Sequence, residues 1–419
     1  MRISSLTANP LPRRPLLDKL EPPLHGWAMR RAFGLGSFAV LYGSIIGFSH
    51  WLLILRLVLV PQVPSPFAEI AIGVVVALAT CLFIRPFTER LFGERFVGTL
   101  AWPTFVWMGV SFFLLVSLLA SDVVLSLIGA AAWAIGEPSS AAAISARAQA
   151  AVVTATALIL SAWGLILALH PPRLRRLGVE IAGWPASLDG FRIVQLSDIH
   201  IGPLLDRRFA RSLVVRVNAL GADLIAITGD LVDGGVERLA AEVEPLRGLE
   251  SRHGTFFVTG NHDYFSRVDP WLAKVRELGW RVLRNERVTI RGSDGAFDLA
   301  GVDDRLARRF GADSGDELGR ALDGRDLTRP VVLLAHNPNE FAAAAEHGVD
   351  LQLSGHTHGG QMWPFGYLVR LATPYVAGLF HHGRSILYVS RGTGFWGPPM
   401  RLFHPAEITE ITVRATVGS

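Results

Sequence analysis

Seven side chains suited to metal ions fall in five short clusters between residues 198 and 358 of this 419-residue chain. They are Asp198 and His200, then Asp230, then Asn261, then His336, and finally His356 and His358 within Ser-Gly-His-Thr-His-Gly-Gly-Gln. His262 and Asp263 follow Asn261 directly. Carboxylate, amide and imidazole donors without thiolate suit Mn²⁺, Fe or Zn²⁺, with manganese favoured here. The only cysteine, Cys81, lies in an apolar stretch, so neither a disulfide nor a thiolate site can form within one chain. Seven donors are too many for one ordinary ion and fit two, with one carboxylate shared.

Each cluster closes an apolar, β-branched run. Phe191 to Leu196 leads into Asp198, Asp223 to Thr228 into Asp230, Thr255 to Thr259 into Asn261, Val331 to Leu334 into His336, and Val349 to Leu353 into His356. Amphipathic segments separate the runs, the signature of a mostly parallel sheet with helical crossovers. Ligands of such sheets sit beyond the carboxyl ends of the strands, so all five clusters should face one crevice. Strand alternation would then send Asp198 and His200, two residues apart, in the same direction. The glycines around His356 and His358 permit the turn that pairing these histidines requires.

The chain before these clusters is of another kind. Half of all residues are hydrophobic and only 18% are charged, and residues 33 to 169 are nearly free of charge. Four apolar stretches, about 33 to 60, 67 to 84, 100 to 134 and 149 to 169, are each long enough to cross a bilayer at roughly 20 residues per span. Arg30 and Arg31 precede the first, Arg85, Arg90 and Arg95 separate the second from the third, and Arg173, Arg175 and Arg176 follow the fourth. That bias puts both termini in the cytoplasm of a multi-pass inner-membrane protein. Export through a twin-arginine signal at Arg30-Arg31 is disfavoured, because the apolar run exceeds a signal core and three more spans follow. Arg56 is expected to snorkel from a span end, and Asp122 to reach the interface. Trp27, Trp51, Trp102 and Trp133 suit interfacial anchors. The chain thus divides into a tail (1–32), a four-helix transmembrane region (33–169), a linker with a lead-in strand (170–190) and a catalytic domain (191–419). A net charge of +4 without a basic stripe argues against nucleic-acid binding.

The ordered set D-x-H, G-D, G-N-H-D, H and G-H-x-H resembles the calcineurin-like metallophosphoesterase superfamily over about residues 190 to 413. The ending G-H-T-H-G-G-Q and the segment Ser390 to Gly397 resemble its bacterial membrane-associated subgroup. The resemblance implies an α/β/β/α sandwich behind an all-α transmembrane bundle. It implies that Asp198, His200, Asp230 and His358 hold one ion, that Asp230, Asn261, His336 and His356 hold the other, and that Asp230 bridges. It gives His262 the place over the leaving group, with Asp263 orienting it. The implied reaction is hydrolysis of a phosphodiester, phosphomonoester or pyrophosphate by a water bridging the two ions.

Four spans would hold such a site near lipid, so a phospholipid or a lipid-linked pyrophosphate resembling UDP-diacylglucosamine is the favoured substrate class, with membrane lipids as partners. A tethered phosphodiesterase for soluble nucleotides and a non-catalytic metal-binding scaffold are the alternatives. Asp233, Asp303, Asp304, His253, His347 and His404 read as cap, turn or core residues. His381 and His382 read as a solvated turn. Gln361 has no role in the pattern. The aromatics from Met362 to Leu368 fit either a packed loop or an apolar wall beside the ions.

Overall fold

The computed structural model describes residues 24–87, 94–136, 145–311 and 316–416. Most of the proposed tail, Arg90 and part of the loop before the fourth span lie outside them. Two compact units are present, Met1–Ser49 and His50–Ser419. The first contributes the start of α1 (Leu24–Ile54), so residues 24 to 32, placed in the tail from sequence, are already helical.

Helices α2 (Phe67–Ile84), α3 (Glu94–Ala134) and α4 (Ala146–Leu169) follow. Among the described residues, four segments are long and apolar enough to cross a membrane: Ala39–Leu59, Phe67–Ile84, Leu100–Ala134 and Ala146–Leu169. Outward-facing Leu119, Val124 and Leu127 of α3 and Val152, Ile159 and Trp163 of α4 are exposed in the protein alone, as lipid-facing side chains must be. Within this region Arg56 does not snorkel alone. Its guanidinium makes a two-pronged pair with Asp122, at 2.6 and 3.0 Å. Gln149 donates to the same carboxylate at 2.7 Å and to Ser121 Oγ at 2.9 Å. The pairing joins two charges that sequence alone treats separately, and it lowers the cost of either charge in apolar surroundings.

Among the described residues, twelve strands form two six-stranded sheets. The first is ordered β1-β12-β2-β3-β4-β5: β1 (Arg173–Ile181), β12 (Glu407–Ala415), β2 (Phe191–Leu196), β3 (Leu224–Thr228), β4 (Thr255–Val258) and β5 (Arg281–Val282). The second is ordered β10-β11-β9-β8-β7-β6: β10 (Gly378–His382), β11 (Ser385–Val389), β9 (Leu351–Ser354), β8 (Val331–Leu334), β7 (Ala296–Gly301) and β6 (Glu286–Arg291). Strands β2 to β5 run parallel, as do β11, β9, β8 and β7, and antiparallel pairing is left to β12 with β2, β10 with β11 and β6 with β7.

The sheets pack face to face. Ile193, Leu224, Ala226, Phe256 and Val258 of one meet Leu299, Val332, Leu334, Leu351 and Leu353 of the other in a single buried core. The alternate residues Val194, Ile225, Ile227 and Phe257 face the opposite way, under α5 (Arg207–Asn218), α6 (Val236–Val243) and a further helix, Val268–Glu277, whose apolar stripes include Leu213, Leu239 and Trp271. Ala300, Val331 and Leu333 do the same under α9 (Glu317–Leu322) and α10 (Phe341–Glu346). Because both faces of each central strand are covered, the strands read as unbroken apolar runs. The result is the α/β/β/α sandwich. Its parallel strands all end at the same rim, and there the donors lie.

The spans also pack on the sandwich. Phe113, Leu114, Val153 and Ala157 share a buried cluster with Met362, Met400 and Leu402. The Arg401 N–H donates to Gly164 O at 2.9 Å. A Cβ on Gly109 would overlap the Met400 sulfur, so a larger residue in α3 would require the Met400 side chain to move.

Candidate metal centre

All seven donors converge at the rim, by a backbone route that strand alternation does not provide. The strands stop before the donors, and Asp198, His200, Asp230, His356 and His358 all adopt left-handed backbone, with φ between 51° and 73°. Such conformations are uncommon for non-glycine residues and persist only where surroundings fix them, a pattern that clusters at functional sites. Some of that fixing is visible. Asp198 N–H donates to Gly229 O and His200 N–H to Asp230 O, at 3.0 and 3.1 Å, tying the first loop to the second. His356 N–H donates to the Asp198 carboxylate at 3.0 Å. A Cβ on Gly355 would overlap that carboxylate.

Two donor groups result. Asp198, His200 and His358 form one, and Asp230, His336 and His356 the other, each with its ligand atoms within 4.8 Å of one another. In the first, His200 Nε2 is 3.1 Å from His358 Nε2, which is 3.3 Å from Asp198 Oδ1. In the second, Asn261 Oδ1 lies 3.1 Å from His336 Nε2 and 2.8 Å from His356 Nδ1. Asp230 Oδ2 stands between the groups, 3.2 Å from His336 Nε2 and 3.8 Å from His200 Nε2.

These separations suit ions. Donors bound at about 2.1 Å sit roughly 3.0 to 3.4 Å apart along the edges of octahedral and tetrahedral shells. The imidazoles are also turned for ligation. His336 Nδ1–H donates to Thr228 O at 2.8 Å and His200 Nδ1–H to Asp233 Oδ1 at 3.0 Å, leaving both Nε2 lone pairs facing inward. Burial, aided by neighbouring cations, pushes His358 well below the usual imidazole range, and burial with His336 nearby lowers His356. Both are therefore neutral imidazoles, the form in which histidine can ligate an ion. Burial also works against charge on His336, yet Asp230 and the other carboxylates hold it well above the ordinary range. Positive charge is what this donor set lacks, and the residues fit a pair of divalent cations.

His262 stands at the edge of the centre, with its N–H on Asp230 Oδ1 at 2.8 Å and its ring edge-on to Trp396 at 5.5 Å. The partner of its ring is not the one expected. Asp263 sits in α7 (Asn261–Phe265) and turns back to the helix start, accepting N–H bonds from Gly260 (2.8 Å), Asp230 (3.0 Å) and Leu231 (3.0 Å). It clamps the β3 and β4 loops together and leaves the imidazole alone. Asp233 takes the orienting role: its Oδ1 accepts from His262 Nδ1–H at 2.8 Å as well as from His200. The trio of His200, Asp233 and His262 is therefore a hydrogen-bond relay, in which one carboxylate fixes a ligand and a proton carrier together. Burial alone would push the His262 imidazole down, but Asp230 and Asp233 outweigh it and raise it to about 9. With Nδ1–H committed to Asp233, Nε2 is the nitrogen left to carry a transferable proton.

Two more residues passed over in the motifs take part. Gln361 is buried and donates to Trp396 O at 2.9 Å and Pro398 O at 3.0 Å, while its Oε1 accepts the Trp396 N–H at 3.0 Å. It ties the loop that carries Trp396 to the turn that carries His358. Gln361→Leu would remove the partner of three backbone groups, one of them in a buried bond, and is expected to cost about 1–3 kcal/mol. A thermal melt in detergent should show Tm lowered by roughly 3–10 °C. Arg401, fully buried, donates to Gly394 O and His404 O and lies 3.3 Å from His358 Nδ1. Of the residues read as structural, Asp303 meets that reading, held by Arg284 and Thr259, and Asp304 caps the turn at Leu306.

Residues 191–360 match the family model described as calcineurin-like phosphoesterase. The chain is 42% identical over 219 residues to an uncharacterized metallophosphoesterase of Helicobacter pylori J99, covering 52% of this chain and 58% of that one. It is 37% identical over 273 residues to a transmembrane protein with metallophosphoesterase domain from Danio rerio, covering 63% and 62%. An uncharacterized metallophosphoesterase of Aquifex aeolicus is 35% identical over 246 residues, which is 58% of this chain and 92% of that one. This chain belongs to the calcineurin-like phosphoesterase family. It spans less than two thirds of the first two relatives. Calcineurin-like phosphoesterases are dinuclear metal enzymes, in keeping with the paired donor groups here. The relatives come from bacteria and animals alike, so they do not set apart the bacterial subgroup expected from the G-H-T-H-G-G-Q ending.

Proposed function

We propose that this calcineurin-like phosphoesterase hydrolyses a phosphoester, with Asp198, His200, Asp230 and His358 holding one divalent ion and Asp230, Asn261, His336 and His356 the other. The observation that carries the reading is the pair of donor groups meeting at Asp230 with His262 at their edge. Two ions, when bound, supply Lewis acidity to the phosphoryl oxygens and activate water. The protein supplies the rest. Asp233 holds His262 in the tautomer and orientation that present Nε2–H to a departing oxygen. Trp396 and Phe265 pack on that ring and limit its swing. Asp263 keeps the β3 and β4 loops in register beneath it.

The arginine bias supports residues 191–419 as a catalytic domain on the cytoplasmic face of a bacterial inner membrane, with 33–169 as its anchor. The docking of α3 and α4 against the loop around Met400 would hold the centre close to lipid and favour a lipid-linked phosphoester over a soluble nucleotide. Manganese is the proposed ion, from ligand chemistry. The test is hydrolysis of methyl p-nitrophenyl phosphate by full-length protein in detergent, stripped with chelator and reloaded. Turnover should vanish on stripping and return with Mn²⁺. Failure of Mn²⁺, Fe²⁺ and Zn²⁺ alike to give turnover would refute the reading.

A further inference from the structure

Beside the centre lies a cavity of about 470 Å³, within the usual range for small-ligand sites. Its composition is lopsided. His356 and His358 are part of its lining, and most of the remaining wall is apolar. Most of that wall comes from two sources. One is the third span, through Met108 and Phe112; the other is the segment from Met362 into α11 (Gly366–Ala372), through Phe365, Leu368 and Val369. The Phe112 and Phe365 rings meet edge-on at 6.2 Å and join the sources. The cavity therefore joins metal-binding imidazoles to the side of a helix apolar enough to cross a bilayer.

A second observation points to lipid independently. Helix α11 buries none of its seven residues, though four are Tyr367, Leu368, Val369 and Leu371. Leu371 is 85% exposed, and Trp363 and Phe403 nearby pack on each other while staying open. An exposed apolar patch of this kind is stable where it meets hydrocarbon. It adjoins the third span, so the bilayer is its natural cover.

We propose that the cavity between α3 and α11 takes one hydrocarbon chain of a phosphate-bearing lipid and so places its phosphate beside His356 and His358. The proposal rests on the phosphoesterase reading and adds to it how the substrate is chosen. A soluble nucleotide would leave the apolar wall unused. A lipid moves its chain from the leaflet to the cavity past Phe112, and α11 lies against the interface while it does so. Each methylene that gains the cavity from water is worth about fourfold in affinity.

The experiment uses full-length protein in nanodiscs with Mn²⁺ and a series of p-nitrophenyl alkyl phosphates from methyl to hexadecyl, which share one leaving group. For the native protein, kcat/KM should climb with chain length, by up to about fourfold per methylene, and level off once the cavity is full. In Val369→Trp and Ala372→Trp, which fill the cavity, the ratio of hexadecyl to methyl kcat/KM should collapse at least tenfold. A diazirine-bearing hexadecyl phosphate should crosslink to peptides containing Met108–Phe112 and Leu368–Ala372, a readout independent of turnover. A chain-length gain that persists in both variants would mean simple partition into the bilayer and would overturn the proposal. So would crosslinks confined to the outer faces of α2 and α4. Absence of methyl ester turnover would instead strike the phosphoesterase reading, whereas methyl turnover without any chain-length gain would sink the cavity proposal alone.

Discussion

Asp230→Asn is expected to lower kcat/KM for any phosphoester by about 10³-fold or more, since a bridging ligand charge supports several kcal/mol of transition-state stabilisation. The geometry explains why this residue outranks the other donors. Its Oδ2 faces His336 of one group at 3.2 Å and His200 of the other at 3.8 Å, the placement that a bridging carboxylate requires. Its Oδ1 accepts the His262 N–H, so the same side chain also seats the proton carrier. The two roles sit on different oxygens, and an amide can serve at most one of them well. Steady-state assays with metal in excess check the rate, and metal analysis of the same sample checks the cause. If the Asp230→Asn variant kept both ions and near-native turnover, Asp230 would not be the bridge.

The second large effect concerns His262. With an alkoxide leaving group, His262→Ala should lower kcat by about 10²- to 10⁴-fold, the usual range for general acid catalysis. With p-nitrophenolate, which departs without a proton, the loss should be about tenfold or less. That contrast separates a proton donor from a residue that merely shapes the site. Asp233→Asn should reproduce part of the same leaving-group dependence, because Asp233 orients the ring, and should also weaken metal retention about 10- to 100-fold through His200. Asp263→Asn should show no leaving-group dependence, since its oxygens hold only backbone N–H groups. Parallel kinetics of the three variants on a phenyl and a benzyl ester would decide, and equal leaving-group sensitivity in all three would contradict the assigned roles.

The confusion of Asp233 with Asp263 shows where sequence stops being informative. Both are acidic residues near a ligand, and adjacency to His262 favours Asp263. Position in a short helix decides otherwise: at its third residue a carboxylate folds back onto the helix start. The gathering of five clusters was legible because each follows a buried parallel strand, and such strands end at one rim. The left-handed backbone at Asp198, His200 and Asp230 was not, for none of these positions is a glycine. Gly109 reads as an ordinary span residue, and only the Met400 sulfur beside it reveals a docking contact. Arg56 and Asp122 lie 66 residues apart, and although opposite charges in neighbouring spans invite pairing, the geometry comes only from the fold. Gln361 acquires its role from a loop 35 residues away.

The division of the two terminal histidines between separate ions is the most exposed part of this assignment. Metal content per chain, measured by plasma mass spectrometry on full-length protein purified in detergent with Mn²⁺ and desalted, tests it directly. Native protein should hold two ions, and His356→Ala and His358→Ala should each hold about one, with the survivor in a different site in each variant as judged by its manganese resonance spectrum. One ion in native protein, or two ions retained by both variants, would contradict a dinuclear centre built on these residues.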